Sequence, residues 1–240
     1  MEGKSRQGLI KERGVILRRV DSPEGNRSVY VFLSRYGPLW ASAPGAARGK
    51  ARFGGSTEPM VWGIMHLYRG PNRFYLRDVD VKKDFWSLRN RPERMRRAIE
   101  WIRTVIVALL PMHPCDELLP LLYWSLSFLE DESVPPDVAE WRFFWRWLRI
   151  WGLAPHLRGC SECASGDYRK WVLSEDGLYC GACARSKAGV RLGAEDVDTL
   201  QKAVVLSRKA FIEWARQAVI DERTLNLCND LVKKGILSGT

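Results

Sequence analysis

Four cysteines carry the clearest chemical signal in the 240-residue sequence. Cys160 and Cys163 form one Cys-x2-Cys pair, sixteen residues follow, and Cys180 and Cys183 form a second pair. In a zinc ribbon each such pair occupies a tight turn, so that four thiolates can surround one Zn²⁺ tetrahedrally. Four sulfur ligands leave no open coordination position, and the sequence therefore predicts one structural Zn²⁺. A ribbon that kept its cysteines but lost its metal is the alternative.

The elements that must position these cysteines are two short strands between the pairs. The apolar segments 171–173 and 177–179 fit such strands, which predicts a ribbon over residues 158–185.

Helical periodicity surrounds the ribbon on both sides. We expect helices over about 92–110, 115–130, 137–151, 195–219 and 222–234, and hence a helical domain over residues 84–240. Within the third helix, Trp141, Phe144, Trp145, Leu148 and Trp151 share one side and are interpreted as core.

The first 83 residues are strongly basic. They hold 16 Lys and Arg against 7 Asp and Glu, which places nearly all of the net charge of +10 in this third of the chain. Concentrated positive charge attracts polyanions and is typical of proteins that bind nucleic acid. Phosphate is therefore the expected target.

Alternating apolar residues in the same region predict five short strands. A hairpin spans residues 14–35, and further strands are expected over 39–43, 61–68 and 73–81, separated by turns rich in Gly, Pro and Asn. Five short strands in about 80 residues favour a small barrel of the oligonucleotide-binding (OB) kind over residues 1–83. The fold class is thus α+β, an N-terminal OB-fold barrel followed by a helical domain with an inserted four-cysteine zinc ribbon.

A glycine-rich basic loop over residues 44–55 interrupts the strands. Its cations are expected to contact phosphates, and Phe53 is the preferred residue for stacking on a base, whereas a solvated loop without a ligand is the alternative. With the other arginines of the basic third, the residues predicted to bind DNA are Arg18, Arg19, Arg27, Arg35, Arg48, Lys50, Arg52, Phe53, Arg69 and Arg73.

No catalytic constellation is recognisable in the sequence. We find no metal-binding His-Glu motif, nucleophile elbow or dinucleotide fingerprint, and we therefore predict that the protein is not an enzyme. A metal-dependent hydrolase would need an open coordination position at the cysteine site. A zinc-ribbon protein that binds RNA or joins a transcription or ribosome-associated complex remains the alternative function.

The order of motifs resembles the RecO family of bacterial recombination mediators. The matching residues are Gly14-Val15-Ile16-Leu17, Glu24 and Arg27 before the strand at 29–33, Gly37, Gly45-Ala46, Glu58-Pro59, Tyr68-Arg69-Gly70 and Gly152-Leu153-Ala154-Pro155 before Cys160.

The resemblance implies a protein that binds single- and double-stranded DNA and anneals complementary strands in recombinational repair. It also implies work with recombination protein R and with single-strand-binding protein, and help in loading the strand-exchange recombinase.

The longest apolar run, at 105–110, is too short to cross a bilayer. We expect a soluble protein of the bacterial cytoplasm that associates with the nucleoid.

Overall fold

The computed structural model describes residues 7–48, 53–166, 169–218 and 220–238. The chain divides into two compact units. The barrel unit comprises the residues up to Arg91 together with Ile99–Leu119, and the helical unit comprises Pro92–Ala98 and the residues from Pro120 onward. The helices Pro92–Ala108 and Leu118–Glu130 each contribute residues to both units. The predicted domains 1–83 and 84–240 stay a prediction.

Five strands form a closed barrel in the first unit, in the order β1-β2-β3-β5-β4. They are β1 (Gly8–Asp21), β2 (Arg27–Leu33), β3 (Gly37–Ala43), β4 (Trp62–Arg69) and β5 (Phe74–Lys83). All neighbouring strands are antiparallel except β3 and β5, which are parallel. The five predicted strands are confirmed, although β1 begins earlier than its alternation suggested.

Strand β1 closes the barrel because it pairs on both of its sides. Its N-terminal part pairs with β4, from Gly8 to Val15, and its C-terminal part pairs with β2, from Gly14 to Asp21. The register with β2 shifts between Ile16 and Arg18. A bulge of this kind bends a strand and increases its twist, which suits the point where β1 passes from one partner to the other.

Alternate residues of the strands fill the barrel interior. Leu39 and Ala41 of β3, Met65 and Leu67 of β4 and Leu76 of β5 belong to one buried apolar cluster. Successive side chains of a strand point to opposite faces, so the residues between these point outward. On these three strands the outward set includes Trp40, Ser42, His66, Tyr68, Tyr75 and Arg77.

The helices are α1 (Pro92–Ala108), α2 (Leu118–Glu130), α3 (Pro136–Ile150), α4 (Ala194–Val205), α5 (Arg208–Ala215) and α6 (Glu222–Ser238). Trp141, Phe144, Trp145 and Leu148 of α3 are buried, which confirms these four as core. Trp151, the fifth residue of the predicted set, follows the helix and is only half-buried. Among the described residues, no helix combines the length and the apolar character needed to span a membrane.

One long helix was predicted over about 195–219, but the structure divides it into α4 and α5. Leu206 has an extended backbone, and the Ser207 side chain accepts a hydrogen bond from the backbone N–H of Ala210 at the start of α5. The guanidinium groups of Arg142 and Arg146 donate hydrogen bonds to carbonyl groups at the end of α4. These contacts satisfy carbonyls that a helix end leaves without partners, which makes the break stable.

Candidate metal centre and nucleic-acid interface

The four cysteines lie on a small three-stranded sheet in the helical unit. Strands β6 (Lys170–Ser174) and β7 (Gly177–Cys180) form a hairpin, and β8 (Val190–Gly193) pairs with the other side of β6. The first cysteine pair lies on a turn beside this sheet, where the backbone N–H of Ser161 donates to the carbonyl of Leu178 at 2.8 Å. The second pair begins at the end of β7. The predicted hairpin of the ribbon is confirmed, and β8 is an addition to it.

The sulfur atoms of Cys160, Cys163, Cys180 and Cys183 all lie within 4.8 Å of one another. The Sγ atoms of Cys163 and Cys180 are 3.9 Å apart. A tetrahedral site with metal–sulfur bonds of about 2.3 Å requires sulfur–sulfur distances of about 3.8 Å. The four cysteines therefore fit one tetrahedrally coordinated ion, and the predicted ligand set could bind a metal.

Hydrogen bonds within the cluster shift the pKa values of these thiols in opposite directions. Burial raises the pKa of Cys160, but hydrogen bonds from the backbone N–H groups of Cys163, Cys180 and Glu162 outweigh this effect and lower it to about 6. The pKa of Cys180 is lowered in the same manner, whereas that of Cys183 is raised because its thiol is hydrogen-bonded to Cys180. Clustered thiolates repel one another, and a bound metal ion would remove that repulsion.

Three of the arginines predicted to bind DNA are engaged in ion pairs. Arg27 is buried, donating to Asp21 and Glu58 and, at 2.7 Å, to the hydroxyl of Thr57. Arg19 pairs with Asp21 and Glu58. Arg35, although 73% exposed, pairs with the buried Glu12. Their charge is largely neutralised by carboxylates, so these side chains stabilise the barrel and offer little net charge to a phosphate.

The basic loop also differs from the prediction. Phe53 is only 5% exposed and belongs to the apolar cluster inside the barrel, so the structure places it in the core and not at a surface where a base could stack. The guanidinium of Arg48 donates two hydrogen bonds to the backbone carbonyl of Glu24, which fixes it against the turn between β1 and β2. Lys50 and Arg52 lie outside the described residues.

The remaining arginines have no carboxylate partner in the described part of the chain. Arg18 is exposed on β1, and Arg69 and Arg73 flank the turn between β4 and β5. The structure adds Arg77, which lies on the outward face of β5. Arg77 could have been identified from the sequence. Every second residue of a β-strand lies on the same face, so Arg77, four positions after Arg73, is expected on the same face as Arg73.

Comparisons with known proteins identify relatives of this chain. A family model described as the C-terminal region of recombination protein O matches residues 101–219. A DNA repair protein RecO of Anaeromyxobacter dehalogenans is 32% identical over 182 residues, covering 73% of this chain and 70% of that protein. The chain belongs to the RecO family. A RecO of Exiguobacterium sibiricum is 30% identical over 72% of this chain and 69% of its own length. One of Acetivibrio thermocellus is 25% identical over 89% and 86%.

Several residues that carry the resemblance to the RecO family have structural roles here. A side chain at Gly14 would overlap the backbone of Phe32, and one at Gly37 would overlap the backbone of His113. Gly37 also has a φ of 68°, which favours glycine. Glu58 holds the buried Arg27. These RecO motif residues are therefore explained by close packing inside the barrel unit.

A further basic surface lies in the helical unit, where sequence reasoning did not anticipate one. The RecO motif at 152–155 borders a cavity of about 420 Å³ whose lining includes Arg149, His156 and Arg158. Among the described residues that line this cavity none is acidic, and Trp145 and Val205 supply part of its apolar wall. The cavity lies a few residues before Cys160 in the chain.

Proposed function

We propose that this protein is a non-enzymatic recombination mediator that binds single- and double-stranded DNA and anneals complementary strands. It works with recombination protein R and single-strand-binding protein to help load the strand-exchange recombinase. Membership of a family whose relatives are named DNA repair protein RecO supports a role in repair and recombination. The proposal includes a cytoplasmic, nucleoid-associated location, because bacterial DNA lies there.

The observation that carries DNA binding is the basic end of the β4–β5 hairpin. Arg69, Arg73 and Arg77 lie within nine residues of one another, and the described residues provide no carboxylate partner for them. Arg19, Arg27 and Arg35 are neutralised by ion pairs, whereas these three keep their full charge. Phosphate contacts need such charges, since the release of counterions from DNA supplies much of the binding free energy.

We assign the closed five-stranded barrel to the OB class. Its strand order and its parallel β3–β5 pair support this assignment. OB-fold proteins bind oligonucleotides with one face of the barrel and with the loops between strands 1 and 2 and strands 4 and 5. Arg48 and the β4–β5 arginines lie at these two loops, so their positions agree with a nucleic-acid interface.

We also propose that the metal held by the four cysteines is one structural Zn²⁺. Zinc accepts four thiolates in tetrahedral geometry, and the sulfur distances suit its bond length. Cys160 and Cys180 are buried, and four protein ligands leave no position for a substrate or a water molecule. The ion would stabilise the ribbon, and no catalytic step is assigned to it.

The proposed function is tested by annealing complementary oligonucleotides, bare and coated with single-strand-binding protein, without added nucleotide. The assay is run at roughly 50 mM and 200 mM salt, because phosphate contacts weaken steeply over this range. We expect annealing on both substrates, slower at high salt. Absence of DNA annealing together with tight RNA binding would instead support the RNA-binding alternative.

A matched pair of variants links the assay to the interface. Arg73→Ala removes a cation without a carboxylate partner and should slow annealing. Lys11→Ala removes the same charge from an exposed ion pair with Asp80 and should leave annealing unchanged. Equal effects of the two variants would show that only net charge matters and would contradict the assignment of this interface.

A further inference from the structure

The four cysteines of the ribbon differ in how far they are open to solvent. Cys160 and Cys180 are buried, Cys183 is half-buried and Cys163 is exposed. The difference follows from the backbone that carries each one. Cys180 ends β7 and is paired with Trp171 inside the sheet, whereas Cys163 lies on the turn that follows Cys160. A dissolved reagent therefore reaches Cys163 more readily than the other three cysteines.

The turn that carries Cys163 is fixed by its own backbone. The N–H of Ala164 donates to the carbonyl of Cys160 at 2.9 Å, and the N–H of Cys160 donates to the carbonyl of Ser165 at 2.8 Å. Ala164 has a φ of 58°, in the left-handed region that a residue other than glycine seldom adopts. Glu162 and Ala164, the two chain neighbours of Cys163, are both exposed. They leave Cys163 uncovered on this side of the ribbon.

The sulfur atoms of the first pair also differ in their hydrogen bonds. That of Cys160 accepts the backbone N–H of Cys180 at 3.4 Å, and it accepts those of Glu162 and Cys163 as well. Donors of this kind withdraw electron density from a thiolate and tune its reactivity. The sulfur of Cys163 instead contacts another sulfur, that of Cys180, at 3.9 Å. Exposure and hydrogen bonding thus both favour reaction at Cys163 over Cys160.

The two cysteines outside the cluster are poor competitors for an oxidant. Cys228 is buried, which raises its pKa to about 12. Cys115 is half-buried, and burial raises its pKa as well. Because the thiolate and not the thiol reacts with peroxide, both should react slowly at neutral pH. A thiol that coordinates a metal ion is deprotonated outright, so the ribbon cysteines do not share this protection.

We propose that Cys163 is a site of oxidation by hydrogen peroxide and that Cys180 converts the product to a disulfide, which releases the metal from the ribbon. In the first step the O–O bond breaks, the Cys163 thiolate becomes a sulfenic acid, and hydroxide leaves. The Cys180 thiolate then attacks that sulfur, the S–O bond breaks, and a second hydroxide leaves. Peroxide accepts the two electrons. This inference rests on the proposed Zn²⁺ and adds a modification to its site.

The arrangement of the two sulfurs suits the second step. They lie 3.9 Å apart, and a disulfide bond of about 2.05 Å requires an approach of about 2 Å. Cys180 is fixed in the sheet, so the exposed turn of Cys163 supplies this movement. Only two thiolates then remain, too few for a closed four-ligand site. Since metal binding and folding are coupled in such sites, the oxidised ribbon loses stability.

The experiment treats the zinc-loaded full chain with increasing amounts of hydrogen peroxide and follows zinc release with a coloured chelator. Peptide mapping without reduction then locates the oxidised residues. At one equivalent of peroxide we expect loss of the zinc and a disulfide that joins Cys163 to Cys180. Cys115 and Cys228 should remain thiols. Reduction by dithiothreitol with added zinc should restore the metal content.

Cys163→His and Cys183→His form a matched pair of variants. Each leaves three cysteines and one histidine, a ligand set that structural zinc sites also use, so each should retain zinc. Only Cys163→His removes the exposed thiolate, and it should release zinc severalfold more slowly than the wild type does. Cys183→His keeps both Cys163 and Cys180 and should remain as sensitive to peroxide as the wild type.

The outcomes separate the inference from the proposed zinc site. Equal rates of zinc release in the two variants, or a first disulfide without Cys163, would overturn the inference. A disulfide from Cys163 to Cys160 or Cys183 would overturn the role of Cys180. If Cys163→His does not retain zinc, the disulfide map of the wild type decides. Fresh wild-type protein without zinc would contradict the zinc proposal, whereas zinc-loaded protein that keeps its metal under peroxide would overturn the inference alone.

Discussion

The Sγ atoms of Cys163 and Cys180 lie 3.9 Å apart although the two residues are 17 positions apart in the chain. This distance matches an edge of a tetrahedral zinc–thiolate site, about 3.8 Å. The separation of the pairs in sequence means that a metal would close a long loop. Metal binding and folding of the ribbon should therefore be coupled.

Cys180→Ser tests this coupling. The variant should lose the metal and destabilise the protein by about 3 kcal/mol, as loss of a structural metal commonly does. Metal content is measured by elemental analysis, and stability by chemical denaturation. Cys115→Ser, which changes a cysteine outside the cluster, should retain one equivalent of zinc. Fresh wild-type protein without zinc would contradict the metal assignment.

The salt dependence of DNA binding should identify which arginines contact phosphate. Each contact on a single strand contributes about 0.7 to the slope of log affinity against log salt concentration. Arg73→Ala should reduce the slope by about this amount, whereas Lys11→Ala should not. A titration of a fluorescent oligonucleotide at several salt concentrations provides the slopes. The assignment of Arg73 would be wrong if its variant kept the slope of the wild type.

Gly63→Ala should destabilise the barrel. A Cβ atom at Gly63 would overlap the backbone oxygen of Asp80 on β5, and backbone cannot move aside as the end of a flexible side chain can. The expected loss is about 2 kcal/mol, typical of overpacking. Gly55→Ala is the control, because a Cβ there would meet no atom within 4 Å. Denaturant unfolding of both variants measures the difference, and equal stabilities would refute the close approach.

Arg142→Leu should destabilise the helical unit. Arg142 is 1% exposed, donates to the carbonyls of Ala203 and Leu206, and has its guanidinium 4.4 Å from the Phe211 ring. Burial lowers its pKa to about 9, which still leaves it charged at neutral pH. Replacing it with leucine leaves these carbonyl groups without the hydrogen bonds from Arg142, which should lower the free energy of unfolding by about 2–3 kcal/mol.

Arg149→Ala is the control for that variant, since Arg149 is exposed on the same helix and its loss should cost under about 0.5 kcal/mol. Thermal unfolding of the two proteins compares them directly. A melting temperature for Arg142→Leu equal to that of the wild type would show that the break between α4 and α5 does not depend on this side chain.

Acid should weaken the ion-pair network around Arg27. The hydrogen bond from Arg27 holds the pKa of Asp21 below its ordinary value of 3.8. A carboxyl group whose pKa is lowered on folding stabilises the protein above its unfolded pKa, and this contribution is lost as the pH falls through the lowered value. The free energy of unfolding should thus decline below about pH 4.

Asp21→Asn should flatten that decline, because the amide does not titrate. Asp230→Asn, at an exposed position on α6, is the comparison and should preserve the pH dependence of the wild type. Denaturation curves collected between about pH 6 and pH 2 give the slopes. A decline as steep in Asp21→Asn as in the wild type would assign the acid sensitivity to other carboxylates.

Local patterns predicted the strands, the aromatic core of α3 and the cysteine cluster, because alternation and ligand spacing are visible within short segments. The pairing of charges was not predictable, since Glu12 lies 23 residues from Arg35 and Glu58 lies 31 from Arg27. These contacts exist only once the barrel has closed. Arginines that look equivalent in the sequence are therefore divided by the fold into paired and unpaired sets.

Phe53 shows a second reason for disagreement. It stands in a segment rich in Gly and Arg, where composition indicates a solvated loop, yet its ring fills the barrel interior. One apolar residue without periodic neighbours gives no local sign of burial. The break between α4 and α5 was missed for a related reason, because the two arginines that stabilise it come from α3, about 60 residues earlier in the chain.

The double pairing of β1 has a consequence for synthesis on the ribosome. The C-terminal half of β1 can join β2 soon after both emerge, but its N-terminal half must wait for β4, whose Arg69 pairs with Gly8 about sixty residues later. Until then one half of a long strand has an open edge that can pair with another nascent chain. Long-range closure of this kind slows folding. The Lys and Arg residues of β1 help to prevent aggregation through the unpaired strand edge during this time.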